Sequence, residues 1–309
     1  MIFRYRVKTN YPEFTYLWSL FPFLKNTVIQ LTDALPLTCS RAGTCCHGNR
    51  VRLNPWELVC LARAKKMSPA EFRDKYTLAS GSVLNFNGKP NHTGKPSCSL
   101  YEEGKGCSVH PARPLACRLF PLGRQIQSGT VQYIHEGSQF PCLKECPEVL
   151  QLPLLTVEDY LTGQETQVFE QGQDFYMEIM QNLADSSFEL LLDTGLSDSG
   201  DTQTLASWKK LGNMDIQTLI AQIPAEWLDV LMIPGLEGQS DVMTFAQAHN
   251  EFLQIKIQEL AGTLSNLDEI RETAELTMAL ALCLAHAIGA DAKGLSEHWI
   301  WIAKSHGAR

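Results

Sequence analysis

Nine of the chain's ten cysteines fall within its first 146 residues, and that crowding constrains what it can fold into more than any other feature. They are Cys39, Cys45, Cys46, Cys60, Cys98, Cys107, Cys117, Cys142 and Cys146, with Cys283 alone beyond them. In a reducing compartment such a set points to metal binding or catalysis rather than to a disulfide framework. The N-terminal sequence is consistent with that compartment. Arg4, Arg6 and Lys8 precede any apolar run, and the stretch from Phe21 to Leu24 is too short and too interrupted by proline to be a secretory signal. A cytoplasmic protein is expected. The longest weakly polar stretch, Leu276 to Ala290, has only 15 residues and contains Thr277 and His286. A spanning helix needs ~20 apolar residues, so this stretch reads as a core helix and no membrane association is expected.

The cysteines stop where the charge changes. Up to Leu150 the chain carries 19 Lys+Arg against 10 Asp+Glu, net +9; after it, 7 against 24, net −17, which together give the overall −8. At ~100 to 200 residues per domain, 309 residues predict two units, a cysteine-cluster domain at 1–150 and an acidic helical domain at 151–309. The basic half has no aromatic-basic stripe or known nucleic-acid module, so a nucleic-acid role is disfavoured and a protein partner is expected.

Local signals predict an α+β first half. Asn54-Pro55-Trp56-Glu57 offers an N-cap, a proline at the first helical position and a capping glutamate, opening a helix to about Lys66; Ser68-Pro69-Ala70-Glu71 repeats the device. Asn85 to Pro96 is a loop or irregular hairpin, Ser97 to Tyr101 a short strand, and Arg124 to His135 a hairpin around Ser128-Gly129 with Ile126, Val131 and Tyr133 facing inward. The second half reads as almost wholly helical. Helices are expected at Val157 to Leu161, Val168 to Leu192, Ile216 to Ile223, Ala225 to Leu231, from a Ser240 cap to Gly262, at Leu267 to Ile288 and at Ser296 to Lys304, with Thr194 to Thr202 a flexible loop. The fold class expected is an α+β cysteine-rich metal-binding domain followed by a mostly α-helical domain.

A Zn²⁺ ion or an iron-sulfur cluster needs about four thiolates, and loops supply them better than straight helices because the chain must turn around the metal. Cys39, Cys45 and Cys46 sit in Cys-Ser-Arg-Ala-Gly-Thr-Cys-Cys-His-Gly, Cys98 and Cys107 flank a turn with two glycines, Cys117 follows His110-Pro-Ala-Arg-Pro-Leu-Ala, and Cys142 and Cys146 bracket three residues between Pro141 and Pro147. In these segments the chain resembles the cysteine-cluster family of CxxCxxCC type, a zinc- or iron-chelating domain family that also includes flagellin lysine N-methylase-like proteins. The family's first motif, Cys-x2-Cys-x2-Cys-Cys, is met by Cys39, Cys45 and Cys46, with Ala42 standing where its second cysteine belongs. Its second motif is met by Cys98, Cys107, His110, Arg113, Pro114, Cys117, Arg118, Phe120 and Pro121. The resemblance covers roughly Leu37 to Pro147. Cys142 or Cys146 could replace the missing ligand, which leaves Cys39, Cys45, Cys46, Cys98, Cys107, Cys117, Cys142 and Cys146 as metal-ligand candidates.

The spacing favours iron-sulfur over zinc, since no Cys-x2-Cys pair occurs and Cys146-Pro147 is the dipeptide found beside ferredoxin ligands. Both metals remain open. Arg113 and Arg118 are cofactor-binding candidates, because a guanidinium near a metal-thiolate anion would stabilise it, with a structural carboxylate pair as the alternative for Arg113. His47 and His110 are weaker ligand candidates. Cys60 lies mid-helix, and Cys283 and His286 sit among Ala281, Leu282, Leu284 and Ala285, so core packing is expected for both cysteines.

Three functions follow. The first is a cysteine-ligated metal-binding protein in a carrier, sensor or accessory role. The second, implied by the resemblance, is protein-lysine N-methylation with S-adenosylmethionine as cofactor, although no glycine-rich loop for it is present. The third is a zinc-stapled interaction scaffold. Catalytic residues are not indicated: Cys46 and His47 adjoin, but sequence neighbours seldom meet as nucleophile and base.

Overall fold

The computed structural model describes residues 27–127, 130–135 and 146–309. Cys142, the Ser128-Gly129 turn and the N-terminal residues Arg4, Arg6, Lys8 and Phe21 to Leu24 lie outside them. The first region runs β1 (Thr27–Ile29), β2 (Ala34–Leu35), α1 (Pro55–Ala64), α2 (Pro69–Tyr76), β3 (Thr77–Leu78), β4 (Val83–Leu84), β5 (Tyr101–Glu102), β6 (Gly106–Cys107), α3 (Leu115–Leu119), β7 (Gly123–Gln127) and β8 (Thr130–His135). Then follow β9 (Leu155–Thr156), α4 (Val157–Gly163), α5 (Thr166–Leu192), α6 (Gln203–Gly212), α7 (Ile216–Ile220), α8 (Ala225–Met232), α9 (Val242–Ala261), α10 (Leu267–Ile288) and α11 (Ala292–Ser305). A small strand-containing region thus precedes a mostly helical one. Among the described residues the strands pair in small antiparallel sheets: β1-β8-β7, β2-β9, β3-β4 and β5-β6.

Both sequence-read capping boxes form. The Glu57 N–H donates to Asn54 Oδ1 at 2.9 Å while the Asn54 N–H donates to Glu57 Oε2 at 3.1 Å, and Ser68 and Glu71 repeat the exchange at α2. From Thr277 to Ile288 helix α10 is buried at every position but His286, as a helix segment enclosed by others must be, while Leu267 to Glu269 in its first turn are exposed. Asn266 caps its start, and Gly289, at φ +81°, ends it in the left-handed conformation. Among the described residues no helix is long and apolar enough to cross a membrane.

The buried apolar cluster runs without a break from Leu53, Trp56 and Phe72 of the first region into Tyr176, Phe245, Leu282 and Trp299 of the second. The Trp56 and Phe169 rings meet with centroids 5.0 Å apart. Gly172 permits this crossing, because a Cβ there would lie 3.1 Å from Val242 and 3.2 Å from Trp56. The β7-β8 hairpin is fastened to α5 by Arg124, which donates to both Asp174 oxygens at 2.8 Å, and by the Tyr133 hydroxyl, which reaches Glu170 at 3.0 Å.

Several local expectations are corrected. Helix α9 is capped by Asp241, whose carboxylate accepts the Thr244 N–H at 2.8 Å, rather than by Ser240; a carboxylate suits the positive end of the helix better. Helix α6 was not expected because no side chain at its N-cap, Thr202, announces it; Asp201 supplies the cap instead, accepting the Thr204 N–H at 3.0 Å. Asp201 also receives Arg271 at 2.8 Å and Leu196 is wholly buried, so the Thr194 to Thr202 loop is anchored at these two residues while Asp198 to Gly200 are exposed. Ser97 makes a single bridge to His47, and the strand begins only at Tyr101. On β8 it is Ile134 that is buried, while Val131, near the turn, is exposed.

Candidate metal centre

The first cysteine segment is placed by one glycine and one ring. Gly43, at φ +75°, lets the chain turn into a single 3-10 turn, Thr44–Cys46, against Tyr101, whose ring lies 2.9 Å from where a Cβ would stand. Leaving that turn, the chain runs beside the second segment. His47 bridges Ser97, the Cys98 N–H donates to the Cys46 carbonyl at 2.7 Å, and the Gly48 N–H donates to the Pro96 carbonyl at 2.9 Å. The β5-β6 hairpin pairs Tyr101 with Cys107. From Cys107 the chain passes through a 3-10 turn, His110–Ala112, into α3, which carries Cys117.

This path gathers five thiols: Cys45, Cys46, Cys98, Cys107 and Cys117. Cys46 donates to Cys45, which eases ionisation of Cys45 against the opposing effect of burial and, with burial, hinders that of Cys46. Cys46 also feels the charge of Cys117 and Cys107, while Cys117 feels Cys98, Cys107 and Cys45. Burial, the largest cause, pushes the thiols of Cys98, Cys107 and Cys117 up, and the repulsion of neighbouring sulfurs adds to it. Backbone donors pull the other way. The N–H two residues on donates to the sulfur at Cys98 (from Leu100) and at Cys107 (from Val109). Such N–H donors stabilise a thiolate and tune a metal held by one.

Arg113 is the cation of this group. Its charge favours ionisation of Cys45, Cys107 and Cys117, and it is held by donating to the His110 carbonyl at 3.0 Å and to Gln164 Oε1 at 2.8 Å. No carboxylate pairs with it among the contacts of the described residues. Arg118 is used differently: it is 4 % exposed, lies 4.0 Å over the Phe169 ring, and donates to the carbonyls of Arg113, Gln164 and Pro111. It therefore shapes the turn before Cys117. Lys65, which also acts on Cys107, reaches Ser108 at 3.4 Å.

Cys39 and Cys146 are not among the five. Cys39 is exposed, on the same loop. Cys146 is buried with its sulfur 2.8 Å from the Thr44 hydroxyl, so its segment packs on the first motif. His47 Nδ1 lies 2.9 Å from the Gly43 carbonyl with its ring edge-on to Tyr101, and His110 is an exposed imidazole whose pKa is lowered by partial burial and by the charges of Arg113, Arg41 and Arg118. Cys60 is packed against the core on α1 and Cys283 is fully buried in α10; burial pushes each thiol up to about 12.

The donor types suit a thiophilic metal: thiols on neighbouring segments that feel one another's charge, backbone N–H donors and one fixed guanidinium. No three His, Cys, Asp or Glu side chains among the described residues already form a ready-made metal site, so binding would have to draw the sulfurs inward. The sequence comparison agrees with the donor chemistry. Residues 38–136 match the model of the CxxCxxCC family, "Putative zinc- or iron-chelating domain". That CxxCxxCC segment covers about a third of the chain and includes all five gathered thiols, Arg113 and Arg118. No curated protein and no solved structure matches the chain.

Sequence reasoning missed two parts of this site. Gln164, which holds Arg113 and through its carbonyl Arg118, lies beyond the matched residues. Glu57 was read as a helix cap alone, yet its second oxygen accepts the Leu115 N–H at the start of α3.

Proposed function

We propose that this protein holds an iron-sulfur cluster on four of the five thiolates of Cys45, Cys46, Cys98, Cys107 and Cys117, and uses it in a carrier, sensor or accessory role toward a protein partner. The reading is supported by the backbone pairing of the two cysteine segments, the Cys98 N–H on the Cys46 carbonyl and Tyr101 opposite Cys107, with the Arg113 charge acting on Cys45, Cys107 and Cys117. Zinc or iron chelation follows from the family description of residues 38–136; the choice of a cluster rests on the loose cysteine spacing, which zinc ribbons do not use. Arg113 would offset the negative charge of the thiolate shell, and the N–H donors at Cys98 and Cys107 would lower the energy of their thiolates. The bound group would supply electron transfer or redox sensing. Cys39 and Cys146 would serve as reserve ligands.

The test is anaerobic purification with iron available, followed by iron, acid-labile sulfide and visible absorption. A brown protein that bleaches in air and loses its colour in Cys117→Ser supports the reading, because iron-thiolate charge transfer absorbs visible light and d¹⁰ Zn²⁺ does not. A colourless protein with stoichiometric zinc overturns the cluster and leaves a zinc site on the same sulfurs.

A further inference from the structure

Glu57 is 3 % exposed, yet its carboxylate serves two chain segments 58 residues apart. One oxygen accepts the Asn54 N–H at 3.1 Å and closes the capping box of α1; the other accepts the Leu115 N–H at 2.6 Å. Leu115 is the first residue of α3, and the N-cap before it is Pro114, which has no side chain able to cap. Without Glu57 that buried N–H would have no acceptor, and α3 has only five residues with which to hold its own shape. Cys117 sits two residues further on. Behind it, Arg118 ties the same helix to the carbonyls of Pro111, Arg113 and Gln164. Helix α1, for its part, is fixed in the core by Trp56, Leu58 and Leu61.

From this geometry we infer that Glu57 is the positioning residue for the Cys117 ligand, joining the metal site to the core through the N-terminus of α3. The inference rests on the proposed metal-binding function. Glu57 does not touch the metal in this scheme; it fixes where the Cys117 sulfur stands, and a group supporting a ligand in this way typically accounts for ~10 to 100-fold in metal affinity.

The test uses the full chain, stripped with chelator under reductant and titrated with Co²⁺ alone, whose thiolate charge-transfer band counts sulfur ligands. Glu57→Ala is expected to bind Co²⁺ ~10 to 100-fold more weakly, with charge-transfer intensity per cobalt lowered by about a quarter, one thiolate in four. Cys117→Ser should show the same spectrum, and the double variant should lose no more than either alone, because both changes remove one interaction. Glu57→Gln keeps an oxygen for the Leu115 N–H and should restore the spectrum. Asn54→Ala weakens only the cap of α1, so it should lower thermal stability and leave the cobalt spectrum unchanged. A wild-type spectrum and affinity in Glu57→Ala, or losses in the double variant that multiply, would overturn the positioning role while leaving metal binding intact. A wild-type protein with no thiolate-to-cobalt band would instead overturn the metal-binding function itself, and the inference with it.

Discussion

Stability between about pH 4 and about pH 7 is expected to be nearly flat with respect to two buried groups that oppose one another, and removing either should expose a steep slope. Burial pushes Glu57 up to about 7, against the pull of the Leu115 and Asn54 N–H groups and of Arg118. Its folded value exceeds the ordinary 4.5, so its contribution is full below that pH and is lost as pH rises through about 7. Burial holds His249 down to about 4 from 6.5, opposed by its hydrogen bond to the Val230 carbonyl. That contribution is full above pH 6.5 and is lost as pH falls through about 4. With the proton on Nε2, His249 donates to Val230 at 3.1 Å and accepts from the Tyr176 hydroxyl at 3.0 Å, an arrangement that requires the neutral ring. Each displacement corresponds to about 3 kcal/mol, with opposite signs over the shared range. In Glu57→Gln, stability should therefore fall by about 3 kcal/mol as pH is lowered across this window, and in His249→Gln it should rise by a similar amount. The assay is urea unfolding followed by tryptophan fluorescence, with excess chelator in every sample so that metal binding adds no protons to the balance. Lost hydrogen bonds displace each curve without tilting it. A variant-minus-wild-type difference independent of pH, or slopes of the same sign in the two variants, would refute the assignment of either buried charge.

Other substitutions separate the site from its frame. Cys60→Ser and Cys283→Ser should leave metal stoichiometry unchanged, and Cys283→Ser should cost about 1 to 3 kcal/mol in denaturant unfolding by burying a hydroxyl. Gly172→Ala should cost about 1 to 3 kcal/mol in the same assay, because its methyl would press on Trp56 and Val242 where α5 crosses α1 and α9. Gly43→Ala should cost about 1 kcal/mol or more, since φ is +75° and Tyr101 fills the space. It should also weaken metal retention in a chelator competition by moving the turn that carries Cys45 and Cys46.

What was legible in the sequence was local. The boxes at Asn54 and Ser68, the span of α10 and the β7-β8 hairpin were readable because each is specified by residues within a few positions of one another. The cap at Asp241 and the helix from Gln203 were misread or missed where two polar residues competed for one role or the cap lay outside the usual position. In the site, the motif pattern offered eight candidate thiols, and which of them stand near one another could not be read from it. Cys98 is joined to Cys46 through a backbone pairing between His47 and Ser97 that no side-chain pattern announces. The two arginines looked equivalent beside their cysteines; the carbonyls that occupy Arg118 come from Pro111, Arg113 and Gln164, and only the folded chain brings them together. The second partner of Glu57 was invisible for the same reason.

The central claim is that Cys45, Cys46, Cys98, Cys107 and Cys117 form the metal-holding group, and cysteine alkylation of the native protein, read residue by residue with mass spectrometry, tests it most directly. Metal-loaded and chelator-treated protein would be labelled in parallel under reductant. The account expects exposed Cys39 to be labelled in both, Cys283 in neither, and the gathered thiols to be protected by metal and opened by its removal. Labelling of those five that is identical with and without metal would contradict it.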